Sequence, residues 1–239
     1  MRLYYDLHMH SALSPCGDAD MTPNNIVNMS LLNGLDIIAL TDHNSCKNAA
    51  AFLKAAENTE LLALPGMELE TSEEIHVVCL LPDLAAAAAF DEYVEARLMK
   101  IPNKPGIFGN QSLMDENDEI TGEYPHLLIT QTSIGLSELP ALLRSFGGVC
   151  VPAHIDRSSN SVVSNLGMVP PDFDAPFIEL SKRAGDFTLR NARLLPRKYG
   201  VISSSDAHYL QDINERVNYL EFQQKPTAKE VIERLWTSV

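Results

Sequence analysis

The sequence predicts an α/β fold in which parallel strands alternate with helices. Short apolar runs, such as "IIALT" at residues 37–41, alternate along the chain with helical patterns. Histidine or a carboxylate stands at the end of strand after strand, which is typical of α/β barrels, because functional residues gather at the carboxyl ends of their strands. The 239 residues, 45% of them hydrophobic, supply an ample core, and we interpret residues 1–239 as one domain.

The first half of the chain contains four predicted strands, over residues 3–7, 37–41, 61–67 and 75–81. A helix begins at Thr22 and ends near Asn33, because Thr is a favoured N-cap and the Pro that follows it fits a first turn. A second helix runs through Phe52, and a third covers residues 84–100.

The second half contains three further predicted strands, over residues 149–152, 177–180 and 201–204. Helices are predicted over residues 139–146 and roughly 188–198, and a glycine pair ends the first of them. The last helix begins at "TAKE", where Thr227 and Glu230 have the spacing of a capping box.

Two stretches interrupt the alternation of strands and helices. We predict a small insertion around residues 101–135, where Pro, Gly and Asn are frequent and "QSLMDENDEITG" is typical of a hairpin with Asp and Asn in its turn. Residues 157–174 form a long loop, and long ordered loops in compact domains are often lids or binding loops.

The composition argues against several kinds of partner. The net charge of −14 repels duplex DNA but does not exclude a small or end-bound anionic substrate, because bound cations can invert the potential inside a pocket. No apolar run approaches the roughly 20 residues of a membrane span, and the first residues have no secretory signal pattern. The four cysteines form no CxxC pair. We expect a cytoplasmic protein with reduced thiols and without a membrane, duplex DNA or obligate protein partner.

Imidazoles recur at the predicted strand ends. Six of the seven histidines lie at or beside such an end, namely His8, His10, His43, His76, His154 and His208. Carboxylates share these positions, namely Asp42, Glu68, Glu179 and Asp206. Residues i and i+2 of a strand share a face, so His8 and His10 can project into one site. The same spacing relates Asp206 to His208.

This set of side chains predicts a metal centre. Mixed imidazole and carboxylate ligands without cysteine favour zinc, manganese or iron over a thiolate-rich structural site. The candidates also outnumber the ligands that one ion needs, so we predict two to three divalent ions. Centres of this type activate water for displacement at phosphorus.

The motifs "DLHMHS", "GLDIIALTDHN", "GMELE", "EIHVVCLLPD", "PAHID" and "SSSDAH" occur in the order of the PHP (polymerase and histidinol phosphatase) superfamily. The chain resembles its stand-alone bacterial phosphoesterases, which include nucleoside 3′,5′-bisphosphate phosphatases and related 5′-end exoribonucleases. The resemblance implies a distorted seven-stranded β/α (TIM-like) barrel with a trinuclear centre at the carboxyl ends of its strands. It also implies a bridging hydroxide that attacks phosphorus.

The resemblance further implies which residues hold each ion. The first ion would have four ligands, His8, His10, Glu68 and Asp206. Glu68 would bridge to a second ion, held also by His76 and His154. The third ion would be held by His43, His208 and an acid of the first loop. The family pattern HxHxxxSDG is interrupted after Ser14, and we assign that acid to Asp18, at the family distance before Pro23, with Asp20 as the alternative.

Three basic residues are candidates for binding the substrate phosphate. Arg157 follows His154 by three residues, and a guanidinium there can clamp a phosphate bidentately. Lys182 and Arg183, which follow a strand-end glutamate, are candidates for the same role. The alternative interpretation is that each is a solvated surface residue. We group Arg157 with Glu68, Asp206 and His208 as the catalytic candidates.

Two further acids adjoin the ligand motifs. Asp6 precedes the first histidine pair, and Asp42 precedes His43. Either carboxylate can orient an imidazole that binds metal, or can instead accept hydrogen bonds from the backbone.

We therefore expect a metal-dependent phosphoesterase that acts on a small phosphorylated metabolite, a nucleotide or a short RNA end. One alternative is a hydrolase of carbon–nitrogen bonds of the amidohydrolase type, which usually needs a carboxylated lysine or another histidine spacing. The other is a non-catalytic metal-binding module, which would lack several ligands. No lysine ends a strand within the ligand series, and every expected ligand class is present.

Overall fold

The computed structural model describes residues 1–237 and has a mixed sheet of six strands. These strands are β1 (Arg2–Asp6), β2 (Ile37–Leu40), β3 (Leu62–Glu70), β4 (His76–Leu80), β7 (Val149–Pro152) and β10 (Tyr219–Glu221). Their order across the sheet is β10-β1-β2-β3-β4-β7. Strands β1, β2 and β3 run parallel, whereas β4 is antiparallel to both neighbours and β10 is antiparallel to β1.

Four further strands form two small sheets. The antiparallel pair consists of β5 (Ser112–Met114) and β6 (Ile120–Glu123), and the parallel pair consists of β8 (Phe177–Glu179) and β9 (Gly200–Ile202). Beyond the strand ends, the amide of Ile155 donates to the carbonyl of Glu179, and the amide of Asp206 donates to the carbonyl of His8. These bonds join the parallel pair to β7 on one side and to β1 on the other. Residues 1–237 thus form a curled α/β structure in which a closed sheet of seven strands is not seen.

Eight α-helices accompany the strands within residues 1–237. They are α1 (Pro23–Leu32), α2 (Ala49–Ala56), α3 (Leu84–Glu95), α4 (Pro105–Phe108), α5 (Leu139–Ser145), α6 (Val162–Leu166), α7 (Phe187–Arg190) and α8 (Ala228–Trp236). Thr22 caps α1 by accepting a hydrogen bond from the amide of Asn25, as predicted. The capping box of Thr227 and Glu230 is also confirmed at α8. Across the described part of the chain, no helix has the length and apolarity that a membrane crossing requires.

The large sheet buries apolar side chains on both faces. Along β4, Val77 and Cys79 pack into one cluster, which also contains Phe90 of α3. Val78 and Leu80 pack into a second cluster on the opposite face. This alternation follows from the two-residue period of a strand. Apolar side chains thus fill both faces of the sheet. The polar side chains that follow β1 and β2 and end β3 lie instead at the carboxyl ends of these strands, where they form a separate site.

Strand direction differs from the sequence-based prediction at β4. The prediction of parallel strands holds for β1–β3 and for β8–β9, but β4 is antiparallel. Only residues 71–75 connect β3 to β4. A parallel connection needs about a dozen residues or more, so this connection permits only a hairpin.

Helix lengths also differ from the prediction. The helix predicted over residues 188–198 is wrong, since α7 ends at Arg190 and one short 3₁₀ turn follows at Ala192–Leu194. The cause is Asn191, whose φ of −117° and ψ of 26° lie outside the helical region. The third predicted helix ends at Glu95 rather than near residue 100. Neither β10 nor α6, which lies in the long loop after β7, was predicted.

The predicted hairpin between residues 101 and 135 is confirmed. In its turn, Oδ1 of Asp115 accepts hydrogen bonds from the amides of Asn117 and Glu119. Oδ2 of Asp118 accepts a hydrogen bond of 2.6 Å from the hydroxyl of Thr22, the N-cap of α1. This bond joins the hairpin to the start of a core helix. That residues 101–135 form an insertion into a single domain stays a prediction.

Candidate metal centre

Glu68 lies at the centre of a buried cluster of histidines and is 1% exposed. Five imidazole nitrogens lie within 3.3 Å of its carboxylate oxygens, namely Nε2 of His8, Nε2 of His10, Nδ1 of His43, Nδ1 of His76 and Nε2 of His154. A carboxylate offers about four lone-pair sites, so one glutamate does not satisfy five rings as hydrogen-bond donors. Although burial favours the neutral acid, the charges of His76 and His8 hold the pKa of Glu68 well below its usual value.

Strand topology brings these side chains together. His8 and His10 follow β1, and His43 follows β2, so parallel pairing places them at the same edge as the end of β3. His76 is the first residue of β4 and pairs in register with Glu70 at the end of β3. Because β4 runs antiparallel to β3, its amino end meets the carboxyl ends of the other strands. A histidine at the start of a strand therefore joins histidines that follow strand ends.

The potential ligands form three overlapping groups. In each group, one ligand atom per residue lies within 4.8 Å of all the others. The groups are His8, His10, Glu68 and Asp206; His43, Glu68 and His76; and His10, His43 and His208. His154 adjoins the second group, since its Nε2 lies 3.0 Å from Oε1 of Glu68.

Unpartnered buried atoms show that these residues suit divalent cations. Nε2 of His8, Nδ1 of His43 and Oε2 of Glu68 are buried. Although the rings lie within 3.3 Å of the carboxylate, none of these three atoms has a partner with hydrogen-bond geometry within the described chain. Buried polar atoms are nearly always bonded, so such atoms need an explanation. All three belong to the groups of potential ligands, and imidazole nitrogen and carboxylate oxygen are the ligands that zinc and similar ions take.

Two of the imidazoles are oriented by acceptor atoms that are not themselves potential ligand atoms. Nδ1 of His8 lies 2.9 Å from Oε2 of Glu179, the last residue of β8. Nδ1 of His208 lies 2.9 Å from the backbone carbonyl of Asp206. Both partners only accept, so we assign the proton to Nδ1 in each ring. In each ring Nε2 is then left to bind a cation.

The ring of His10 is oriented by the hydroxyl of Ser14, which is in turn held by the carboxylate of Asp42. The Oγ atom of Ser14 lies 2.8 Å from Oδ1 of Asp42 and 3.0 Å from Nδ1 of His10. The carboxylate can only accept, so the single hydroxyl proton goes to Asp42 and the oxygen accepts from the ring. Burial by itself lowers the pKa of His10, but the nearby carboxylates of Asp206 and Glu68 raise that pKa to about 9. The ring thus directs Nε2 towards the other ligands.

Two of the potential ligands lie on unusual backbone. His154 and Asp206 have φ values of 29° and 53°, and neither is glycine. Left-handed conformations of this kind cost about 1–3 kcal/mol and cluster at functional sites. At both positions the surrounding hydrogen bonds hold the residue, since the amide of His154 donates to Glu179 and that of Asp206 donates to the carbonyl of His8.

A cavity of about 700 Å³ opens beside the cluster and is lined in part by His154 and Asp206. The structure brings all three predicted substrate-binding residues, Arg157, Lys182 and Arg183, to the wall of this cavity. Nη1 of Arg157 lies 2.6 Å from Oδ2 of Asp206. The lining of the cavity thus combines these three basic side chains with an imidazole and with four carboxylates, those of Asp156, Glu179, Asp206 and Asp212.

Neither candidate acid of the first loop, Asp18 or Asp20, belongs to the groups of potential ligands in the described chain. Asp18 is half-buried, and its amide donates to the carbonyl of His208 at 2.9 Å. Within residues 1–237, its carboxylate belongs to none of the three groups, and Oδ1 instead accepts from the amide of Asp20. Asp20 is exposed. The role of either acid as a ligand stays a prediction.

The two acids beside the ligand motifs have different contacts. Asp42 acts on an imidazole only through the hydroxyl of Ser14. Asp6 accepts from the amides of Ser205 and Asn214, so it holds the loop around Asp206 rather than a ring. The sequence assigned no role to Glu179 or to the side chain of Ser14, although the position of Glu179 at a strand end was a usable signal.

Solved structures of the same fold include an endonuclease, a putative phosphoesterase and an amidohydrolase. The lesion-specific endonuclease of Pyrococcus furiosus has a TM-score of 0.68 and 18% identity over 99% of this chain and 56% of its own. A putative metal-dependent phosphoesterase from Bifidobacterium adolescentis has a TM-score of 0.55 and 17% sequence identity, and the match covers 98% of this chain and 97% of that protein. An amidohydrolase from Chromobacterium violaceum, solved with bound sulfate, has a TM-score of 0.59 and 19% sequence identity, and the match covers 97% of this chain and 96% of that protein. The chain spans about half the length of the endonuclease.

A further structure bears on the expectation that duplex DNA is excluded. Endonuclease Q, with a TM-score of 0.59 and 17% identity over 87% of this chain and 49% of its own, was solved with a 27-mer duplex substrate carrying an abasic lesion at the active site. A protein of this fold thus holds a DNA duplex. The expectation that duplex DNA is excluded as a partner of this chain is therefore not supported.

Family membership rests on the sequence itself. No curated protein matches the chain. Residues 6–157, which include most of the histidine cluster, match the PHP domain. This match covers more than half of the 239 residues, and the chain therefore belongs to the PHP domain family.

Proposed function

We propose that the chain is a metal-dependent phosphoesterase that hydrolyses a phosphate ester of a small metabolite, a nucleotide or a short RNA end. The observation that carries this proposal is the juxtaposition of Glu68, ringed by five imidazole nitrogens, with a cavity that presents three basic side chains. An anionic ester suits the three basic side chains of the cavity, and a cation centre suits its phosphate.

The proposed centre holds two to three divalent ions, of manganese, iron or zinc. Its ligands are His8, His10, Asp18, His43, Glu68, His76, His154, Asp206 and His208. When bound, such ions lower the pKa of water and neutralise charge on phosphate oxygens. Glu68 belongs to two of the three groups, which supports its assignment as the ligand shared between ions.

The three basic residues of the cavity would bind the substrate, and one of them would also orient a ligand. Arg157 donates to Asp206 and faces the cavity, so it can hold that carboxylate and a substrate oxygen with different nitrogens of one guanidinium. Lys182 and Arg183 supply further charge for the part of the substrate that does not react. In this proposal the strands form a distorted, TIM-like barrel whose interior carries the ligands at one end.

A substrate panel tests the proposal. Protein loaded with manganese would be assayed on phosphate monoesters, phosphodiesters, amides and lactones, with Glu68→Gln as the matched control for contaminating hydrolases. We expect turnover of phosphate esters that Glu68→Gln abolishes. Turnover of amides or lactones alone would favour the amidohydrolase alternative, which the fold of the Chromobacterium protein motivates. Metal binding without any turnover would favour the non-catalytic module.

A further inference from the structure

A concentrated basic segment lies next to the cavity. Between residues 182 and 198 the chain has six basic residues, Lys182, Arg183, Arg190, Arg193, Arg197 and Lys198, and the single acid Asp186. All six basic residues are exposed. The whole chain has 18 basic and 32 acidic residues, so a third of its positive charge is in this short stretch. We call these six residues the basic segment.

Topology determines where the basic segment runs. Strands β8 and β9 are parallel, so the chain between them must return from the carboxyl end of β8 to the amino end of β9. At the start of this return, Lys182 and Arg183 line the cavity. At its end, Arg197 donates to the carbonyls of Phe173 and Ala175, which precede β8. The basic segment therefore runs from the cavity, at the carboxyl end of β8, to the opposite end of the strand pair.

Most of this charge is not neutralised by acids of the protein. Arg190 pairs with Asp186 at 2.9 Å. Within residues 1–237, the other five side chains have no carboxylate within 4.0 Å, and Lys182 donates only to a backbone carbonyl, that of Asp212. Unpaired cations grouped on one surface of an acidic protein produce a local positive potential that attracts an anion.

We infer that the basic segment binds the sugar–phosphate backbone of a single-stranded nucleic acid whose terminal phosphate ester lies in the cavity. This inference rests on the proposed function. A small metabolite would need only Lys182 and Arg183, whereas four further exposed cations along the segment would suit a chain of phosphates. A cavity of about 700 Å³ takes a group of nucleotide size, so an unpaired end fits it better than a continuous duplex.

The test compares two variants with the same change in charge. Arg193→Gln/Lys198→Gln removes two cations of the basic segment that do not line the cavity. Lys225→Gln/Lys229→Gln is the control and removes two exposed lysines, one three residues before α8 and one in its first turn. Each variant would be assayed on a mononucleotide and on a single strand of about ten nucleotides, the size of a typical single-strand site. Thermal unfolding would check that both variants are folded.

We expect kcat/KM of the Arg193→Gln/Lys198→Gln variant on the single strand to fall roughly tenfold at low salt, with the mononucleotide unchanged. The slope of log(kcat/KM) against log salt should become shallower by about 1.4, because each single-strand phosphate contact contributes about 0.7. Lys225→Gln/Lys229→Gln should behave as the unmodified protein. No loss on the single strand, equal losses in the two variants, or equal losses on both substrates would each overturn the inference.

A binding measurement separates this inference from the proposed function. The fluorescence anisotropy of the labelled single strand would be measured with chelator present at several salt concentrations. If no phosphate ester is hydrolysed but the single strand still binds through Arg193 and Lys198, the proposed function fails and the inference about binding stands. If esters are hydrolysed but neither variant changes single-strand affinity, the inference fails and the proposed function stands.

Discussion

Arg157 and Asp206 form an ion pair at the edge of the metal centre, with 2.6 Å between Nη1 and Oδ2. The other oxygen of Asp206, Oδ1, faces Nε2 of His8 and of His10, at 3.4 and 3.2 Å. The carboxylate therefore divides its two oxygens between a basic side chain of the cavity and the proposed ligand cluster. We therefore expect a change at Arg157 to affect both substrate binding and the orientation of Asp206, a proposed ligand.

The Arg157→Ala variant should mainly raise KM, because the guanidinium can bind phosphate in the ground state as well as in the transition state. Loss of the ion pair should also weaken metal retention about tenfold, as expected when a ligand loses its supporting partner. Kinetics on mono- and bisphosphorylated nucleotides, with metal content measured in each preparation, would check both effects. Arg157→Lys keeps the charge without the planar fork and should be intermediate. Unchanged KM, kcat and metal content would make Arg157 a solvated surface residue.

The Glu68→Gln variant should lose at least about a hundredfold more activity than Glu70→Gln. Glu68 contacts five imidazoles, whereas the nearest ring nitrogen to Glu70 is 3.9 Å away, on His76. Both glutamates lie in β3 and are buried, so the pair controls for the removal of a buried charge. Steady-state kinetics with saturating metal would measure the difference. Equal effects would place the shared ligand two residues away from our assignment.

Ser14→Ala should lower the affinity for metal by about 10–100-fold, the usual effect of removing a partner that orients a ligating imidazole. The hydroxyl of Ser14 joins Asp42 to His10, and alanine leaves Nδ1 of the ring without its acceptor. Calorimetric titration of the metal-free protein with manganese would measure the change in metal affinity. Ser11→Ala is the control, because Ser11 also donates to Asp42 but has no contact with His10 among the described hydrogen bonds. A similar loss in both variants would point to general destabilisation rather than to the ring.

Chelation should abolish hydrolysis and lower the melting temperature, and manganese, iron or zinc should restore both. Ions that bind only the folded state stabilise it by about 2.7 kcal/mol per site at a hundred times Kd, which corresponds to roughly 5–10 °C in a chain of this size. Calorimetry and activity assays before and after dialysis against chelator would check this. The shift should shrink in Glu68→Gln, which provides an internal control. Full activity of metal-free protein would rule out the proposed mechanism.

Much of the candidate centre could be predicted from residue types and their spacing. The pair at His8 and His10 follows from the two-residue period of extended chain, whereas Asp206 and His208 lie in the loop after β9, where Asp206 has a φ of 53°. Glu68 followed from its place after a run of apolar residues, and Arg157 from its distance to His154. These features are local in the chain, so the sequence is enough to recognise them.

The partners that orient the imidazoles could not be predicted in the same way. Glu179 contacts His8 across 171 residues, and Asp42 reaches His10 only through Ser14. Such contacts depend on which strands become neighbours and on the path of each loop. The direction of β4, which brings His76 to the edge that carries the other ligands, is also a consequence of strand pairing.

The amino-acid sequence by itself determined the alternation of strands and helices, the caps of α1 and α8, and the chemical character of the ligands, because each depends on periodicity and residue type over a few positions. Tertiary structure decided the mixed sheet, the oxygen of Asp206 that pairs with Arg157, and the route of the basic segment from the cavity. These features depend on pairing between distant parts of the chain. The energy of that pairing comes from burial and hydrogen bonding in the complete fold, which no short stretch of sequence contains.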